Sequence, residues 1–258
     1  MSGSLRDKIV LITGSSSGIG RVAALKFAAA GAIPVLAARS VDKLLDVAAE
    51  IRERYSIDAP VFELDVRSNQ QVDQVVSEVF GRFGHIDILV NNAGYGLFRD
   101  TVEMSNEEIE DMMAVNYFGL VRMTKAVLPS MLERHSGHII NLASIASFFA
   151  TPTHGAYAAT KFAVQGFSEG LRFELHGTGV HLSTVNPGPV DTPFFDRADR
   201  STLPKMTNFL RAEQVADAVL RATRERKPVY ILPRIGRVGL ALRHLFPGVY
   251  HRALARKK

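Results

Sequence analysis

Ser144, Tyr157 and Lys161 place a hydroxyl, a phenol and an ammonium within one stretch, SIASFFATPTHGAYAATK. Tyr157 and Lys161 stand four residues apart in GAYAATKFAVQGFSEGLRFEL, whose small and apolar residues recur at helical spacing, so both side chains share one face. A positive charge beside a phenol favours phenolate. Against an ordinary tyrosine pKa of about 10, this predicts a Tyr157 that gives and retakes a proton closer to neutral pH. Ser144 follows the apolar run His138 to Leu142 and is expected at the end of a strand. Taken singly, the three could equally be an interface aromatic, a solvated charge and a turn residue. The elements that position them decide between the readings.

The run Lys8 to Ile12 reads as a strand, TGSSSGIG over residues 13–20 as a glycine loop, and RVAALKFAAAGA as a helix. Glycines at 14, 18 and 20 let the backbone turn tightly and approach a pyrophosphate, and the helix N-terminus attracts its charge. The spacing differs from G-x-G-x-x-G but has the strand-to-helix context that motif requires. Strands are then expected over Ile33–Ala38, Pro60–Leu64, Ile86–Val90, His138–Leu142, Val180–Val185 and Val229–Leu232. Helices are expected over Val41–Arg54, Gln70–Phe83, from Ser105 to about Arg134, through the tyrosine run, and over Glu213–Arg224. Such alternation predicts an α/β fold: a Rossmann-type doubly wound parallel sheet in a single domain, with helices on both faces. Ser105-Asn106-Glu107-Glu108 is a capping box, and Asn116, a poor helix-interior residue, predicts a local bend or a polar task.

The second strand ends in Arg39-Ser40 with no acid nearby. An acid there would hold a ribose 2′-hydroxyl, whereas arginine suits a 2′-phosphate, so the expected cofactor is NADP; Ser40 is placed to cap the next helix and to reach the phosphate. Asn91-Asn92-Ala93-Gly94 and the loop Asn186 to Thr192 both fall where a crevice opens at the carboxyl edge of such a sheet. Residues 193–211 have no firm period and suit either a substrate-covering segment or a surface excursion.

The composition, 47% hydrophobic and 22% charged over 258 residues, is that of a globular chain, and no run is long and apolar enough for a membrane span. The N-terminus lacks the pattern of a signal peptide, so a cytoplasmic location is the default expectation. The absence of cysteine excludes disulfides and thiolate catalysis, and the eight scattered histidines have no metal-ligand spacing, so no metal is expected. The net charge is +5, but residues 226–258 hold nine Lys or Arg and no Asp or Glu, so the excess belongs to the tail. No basic residues interleave with base-stacking aromatics, and no nucleic-acid partner is expected.

Together TGSSSGIG, NNAG, Ser144 with Tyr157-x-x-x-Lys161, and the PGPVDT loop make the chain, from about residue 5 to residue 232, resemble the short-chain dehydrogenase/reductase family. The resemblance implies an NADP-dependent enzyme that interconverts a carbonyl and an alcohol. Tyr157 would be its general acid/base, Lys161 would lower that phenol's pKa and hold the nicotinamide ribose, and Ser144 would bond the reacting oxygen. Asn116 would bend its helix and position a water joining Lys161 to solvent. The cofactor would lie on Gly14, Ser15, Ser17, Gly18, Ile19 and Gly20 at the pyrophosphate and on Arg39 and Ser40 at the 2′-phosphate. Asp65 and Val66 would meet the adenine, and Asn91, Ala93 and Gly94 would bound the adenosine side. Tyr157 and Lys161 would contact the nicotinamide ribose, and Pro187, Gly188, Val190 and Thr192 would hold the carboxamide end. The same resemblance implies a homodimer, possibly a tetramer, packed through the helices that carry Asn116 and Tyr157.

Residues beside these motifs, Tyr95, Leu97, Phe98, Phe148, Phe149, His154, Phe194 and Phe195, are expected to border an apolar substrate pocket. Many small members of the family, the acyl-carrier-protein ketoreductases among them, end in a GG-containing turn. This chain instead continues from Pro228–Arg234 into a basic tail, an ending closer to the branch of hydroxysteroid dehydrogenases and reductases of lipophilic carbonyls. An acyl-carrier-protein ketoreductase and a non-catalytic NADP-binding scaffold are the alternatives. In the tail, Val238, Leu242, Leu245 and Phe246 share a face with Arg237, Arg243 and His244 elsewhere, before Pro247, Tyr250 and Leu254. This predicts a helix packed on its own domain or a partner, with peripheral membrane contact as the less favoured reading.

Overall fold

The structure, a computed structural model, describes residues 5–196, 209–233, 236, 243, 245–248 and 252, with Phe195 and Asp196 in backbone only. Most of the 193–211 segment, and Arg237, Val238, Leu242, His244, Tyr250 and Leu254 of the tail, therefore lie outside the described residues.

Strands β1 (Ile9–Thr13), β2 (Ile33–Ala38), β3 (Val61–Glu63), β4 (Ile88–Asn91), β5 (Gly137–Leu142), β6 (Val180–Pro187) and β9 (Val229–Leu232) form one sheet in the order β3-β2-β1-β4-β5-β6-β9. Every pairing in it is parallel. The strands are continuous apolar runs rather than alternating ones because both faces are covered. Helices α1 (Gly18–Ala29), α2 (Val41–Tyr55) and α7 (Ala212–Glu225) enclose one core with Val10, Ile12, Leu36 and Val90. Helices α3 (Asn69–Phe83), α5 (Leu120–Glu133) and α6 (Gly155–Glu174) enclose the other with Leu11, Val35, Leu89 and Ile139. A short parallel pair, β7 (Val190–Asp191) with β8 (Leu210–Arg211), lies apart from the main sheet.

Local chemistry sets the helix ends. Ser105 and Glu108 close the expected capping box on α4 (Asn106–Met113), and Gly84 ends α3 in the left-handed region. Ser40 stands at the start of α2 but makes no side-chain capping bond, contrary to expectation. The helix expected from Ser105 to Arg134 is interrupted: α4 passes through a π-helical turn, Ala114–Gly119, into α5, and Asn116 lies inside that turn. The helix is therefore irregular at Asn116 through an inserted residue, and Pro129 sits further along α5.

Candidate active site

The strand order reverses between β1 and β4, and a cleft of about 820 Å³ opens at the carboxyl ends of the strands there. The glycine loop forms its floor. Gly14 has a φ of +66° and its N–H donates to Ala37 O, while Gly18 has a φ of +53°. A Cβ on Gly14 would stand 2.9 Å from Ala93 Cα, so only glycine lets the loop close on the turn after β4. That turn is pinned from both sides: Thr13 Oγ1 accepts from the N–H groups of Asn92 and Ala93, and Asn92 Nδ2 donates to Thr13 O and Gly14 O. Helix α1 then begins with no side-chain cap from Ser17 and no acid in its first turn. Ser16, Ser17, Gly18 and Ile19 line the cleft there, a cradle suited to a pyrophosphate. Two expected contacts of the glycine loop are absent from the lining. Ser15 is fully buried, its Oγ accepting from Ala37 N, and Gly20 packs under the loop, where a Cβ would meet Gly14 O at 2.4 Å.

Arg39, Ser40 and Lys43 line the next part of the cleft, with Asp65 and Val66. Lys43 carries no motif; it reaches the cleft because α2 starts at the end of β2. Arg67 takes the Asp65 carboxylate with Nε and Nη2, at 3.0 and 2.5 Å, and donates from Nη1 to Asp111. Asp111 in turn accepts from the Tyr95 hydroxyl at 2.6 Å. Hydrogen bonding from Arg67 holds Asp65 below the usual carboxylate range, and the Tyr95 hydroxyl, with Arg67, does the same for Asp111. A polar chain thus runs along the cleft from Asp65 through Arg67 and Asp111 to Tyr95. Asn91 takes no part in the lining: it is buried, and its amide donates to Thr124 and Asn141.

At the far end, α6 presents Tyr157 and Lys161 on one face, as the spacing predicts, with Ser144 opposite them at the end of β5. The Lys161 ammonium donates to Leu142 O at 3.1 Å and lies 5.8 Å from the centre of the Tyr157 ring. Ser144 Oγ accepts from Ala146 N and lies 3.4 Å from Pro187 O. Asn116 is buried behind this wall. Its Oδ1 accepts from Tyr95 N and its Nδ2 donates to Tyr95 O and Thr160 Oγ1, so the π turn fixes the backbone of the cleft wall. Gly94 sits between Asn116 Oδ1 and Lys161 Nζ, where a Cβ would lie 3.0 and 3.7 Å from them. Phe98 and Phe194 meet the phenol edge-on at 5.3 and 5.8 Å, and His154 packs on Phe98 at 4.4 Å.

The predicted acidification of Tyr157 is not found. Burial pushes the phenol up to about 12 against a smaller downward pull from the Ser144 hydroxyl, and the same burial brings Lys161 down to about 8. Desolvation outweighs the cation because both groups are buried together. Val66, Ala93, Gly94, Pro187, Gly188, Val190 and Thr192 line the cleft as expected, as do Tyr95, Phe149 and His154. Leu97 and Phe148 do not, and the Phe195 side chain is outside the described residues. Thr151, Ile145 and Phe209 join the lining without any sequence signal, because loop geometry alone brings them there. At two described points the tail meets its own domain. The Arg243 guanidinium lies 5.8 Å above the Phe162 ring, and a Cβ on Gly236 would stand 2.8 Å from Ile145 Cδ1. Among the described residues no helix is long and apolar enough to cross a membrane.

Comparison with known proteins places these features in context. The sequence profile described as short chain dehydrogenase matches residues 8–202. An uncharacterized oxidoreductase of Staphylococcus epidermidis is 37% identical over 218 residues, 84% of this chain and 91% of its own. Among solved structures, a short-chain dehydrogenase from Sphingobium yanoikuyae in complex with NADPH superposes with a TM-score of 0.82 at 30% identity, covering 97% of this chain and 96% of its own. A short chain dehydrogenase/reductase from Burkholderia phymatum in complex with NAD gives a TM-score of 0.87 at 26% identity, covering 96% of each chain.

Proposed function

The chain belongs to the short-chain dehydrogenase/reductase family of oxidoreductases, and from that premise we propose that it interconverts a hydrophobic ketone or aldehyde and the corresponding alcohol with NADP(H), Tyr157 acting as general acid/base. The observation that carries the reading is the convergence of Ser144, Tyr157 and Lys161 on one wall of a cleft whose floor is an uncapped, glycine-lined helix start. The residues present fit the cofactor. First-turn N–H groups of α1 would hold the pyrophosphate, Arg39 and Lys43 would offer two cations to a 2′-phosphate, and Pro187, Gly188, Val190 and Thr192 would hold the nicotinamide end. The nicotinamide would supply or take the hydride. Tyr157 gives its proton to the substrate oxygen in reduction and recovers it in oxidation, and its raised pKa keeps it protonated, ready to act as an acid, at pH 7. Ser144 donates to the same oxygen as charge develops on it, and the Lys161 ammonium favours the phenolate that remains. Asn116 holds Tyr95 and the α6 wall in register. In solution we place the chain in a homodimer built on the face of α5 and α6.

The test is a panel of carbonyls and alcohols, acyl-carrier thioesters included, assayed with NADPH and NADH in parallel. The expected result is turnover of free apolar carbonyls with at least tenfold preference for NADPH. Arg39→Ala and Lys43→Ala should each erode that preference while leaving the NADH rate in place. Equal use of both cofactors by the unaltered enzyme would refute the NADP assignment.

A further inference from the structure

His154 lies three residues before Tyr157, at the start of α6, and lines the substrate end of the cleft. Its ring packs on Phe98 at 4.4 Å with a tilt of 30°, and Phe98 meets Tyr157 edge-on at 5.3 Å, so the imidazole and the phenol share one aromatic neighbour at this end of the cleft. Nδ1 of His154 stands 2.9 Å from Pro152 O and 3.1 Å from Thr153 Oγ1. A carbonyl oxygen can only accept, so Nδ1 carries the proton, and in the neutral ring Nε2 is left as a bare acceptor. Burial lowers the imidazole's pKa below the ordinary histidine value, which keeps the ring neutral at pH 7. No hydrogen bond from the described residues reaches Nε2.

The turn that imposes this orientation is strained. Thr153 has a φ of +64°, a conformation that a β-branched residue rarely adopts. Backbone strain directly before a cleft-lining side chain persists only where the surroundings hold it, here through the bonds to His154 Nδ1. Ile145, Phe98, Phe149, Phe194 and Phe209 give this end an apolar lining, with Tyr95, whose hydroxyl donates to Asp111, beside them. Arg39, Lys43 and Asp65 stand at the adenosine end, and Lys161 is buried beside Tyr157. Among the described residues, the substrate end therefore offers no further charged partner. Thr151 adds a hydroxyl that donates or accepts equally well and so sets no preference.

Resting on the reading of this cleft as the substrate site, we propose that the substrate is an uncharged cyclic or aromatic ketone that carries a hydrogen-bond donor, a hydroxyl or N–H, about one ring's breadth from the reacting carbonyl, with His154 Nε2 as its acceptor. Bicyclic aromatic ketones of the tetralone type, bearing hydroxyl, methoxyl or hydrogen at each ring position in turn, isolate the donor, because methoxyl fills the space and accepts but does not donate. Dissociation constants are measured at pH 7 in the complex with NADP+, where the ketone binds without hydride transfer, and kcat/KM is measured with NADPH. For at least one ring position the hydroxyl compound should bind roughly three- to tenfold more tightly than its methoxyl and unsubstituted partners, the range of one net hydrogen bond. The preference should fall to about one in His154→Phe, which keeps the ring stack, with unchanged NADPH affinity reporting that the variant is folded. Equal binding of each trio by the unaltered enzyme, absence of binding by any member, or a preference that survives His154→Phe would overturn the assignment. The first two of these comparisons need no variant. Preferential binding without turnover would leave the His154 assignment standing and refute the catalytic role given to Tyr157.

Discussion

Lys161 is buried, and the removal of its ammonium from water brings its pKa down to about 8. In the unfolded chain the same amine titrates near 10.4, so between those values the unfolded state binds more protons, and this group's contribution to stability rises with pH through that window. Below pH 8 the folded protein carries a stripped ammonium at a cost of about 3 kcal/mol. Lys161→Met should therefore abolish turnover yet raise the unfolding free energy of the ligand-free protein at pH 7 by about 2 kcal/mol, with the gain largely gone by pH 10. Urea denaturation at the two pH values checks this, and a variant less stable than the unaltered protein at pH 7 would contradict it. Tyr157 is the counterpart. Tyr157→Phe removes one oxygen from a buried wall and should lower kcat by roughly a hundred- to ten-thousandfold while the Kd for NADPH, followed by fluorescence, stays within about twofold. An unchanged kcat would sink the mechanism.

Among the elements, α1 and the glycine loop are fitted so closely that a single methyl decides whether they meet. A Cβ on Gly20 would stand 2.4 Å from Gly14 O and 2.5 Å from Asn92 Nδ2. Gly20→Ala is expected to cost about 1–3 kcal/mol and to weaken NADPH binding at least tenfold, because α1 must lift off the loop it seals. Gly81 in α3 has open space where its Cβ would lie. Gly81→Ala should instead stabilise the chain by about 0.5–1 kcal/mol, with NADPH binding unaltered. Thermal melts and cofactor titrations of the two variants, run side by side, separate loop geometry from helix propensity; similar behaviour of both would refute the packing account. The π turn is the other element whose shape matters. It spends a regular hydrogen-bond register to turn the Asn116 amide onto Tyr95 and Thr160, and a straight helix would point that side chain elsewhere.

For the whole molecule, the exposed aromatics of α6 mark one face. Phe162 and Phe173 are eleven residues apart, about three helical turns, and so lie in line; they are 39% and 75% exposed, and Phe118 in the π turn is 49% exposed. We propose that these rings, with Arg243 packed over Phe162, meet a second copy of the chain. Light scattering coupled to size exclusion should return about twice the 28.3 kDa chain mass, and Phe162→Asp with Phe118→Asp should reduce it to one. A monomer mass for the unaltered protein at micromolar concentration would reject the dimer.

The sequence by itself determined the order and type of nearly every strand and helix, since a parallel sheet covered on both faces needs continuous apolar strands between amphipathic helices, and both patterns are local. It also determined the chemistry-bearing residues whose neighbours in the chain carry the signal: the glycine loop, the Tyr157 and Lys161 pair one helical turn apart, Ser144 after its strand, and the odd Asn116 within a helix. What only the tertiary structure decided depends on groups distant in the chain. Asn91 and Ser15 look like ligand contacts in a motif but point into the core, where Asn91 donates to Thr124 and Asn141 and Ser15 accepts from Ala37 N. Lys43 enters the cleft from the first turn of α2, and Arg67 joins Asp65 to Asp111 across two elements. The direction of the Tyr157 pKa followed the same logic: adjacency to Lys161 is written in the spacing, whereas the depth of burial, the larger effect here, exists only once the sheet and helices have closed around both.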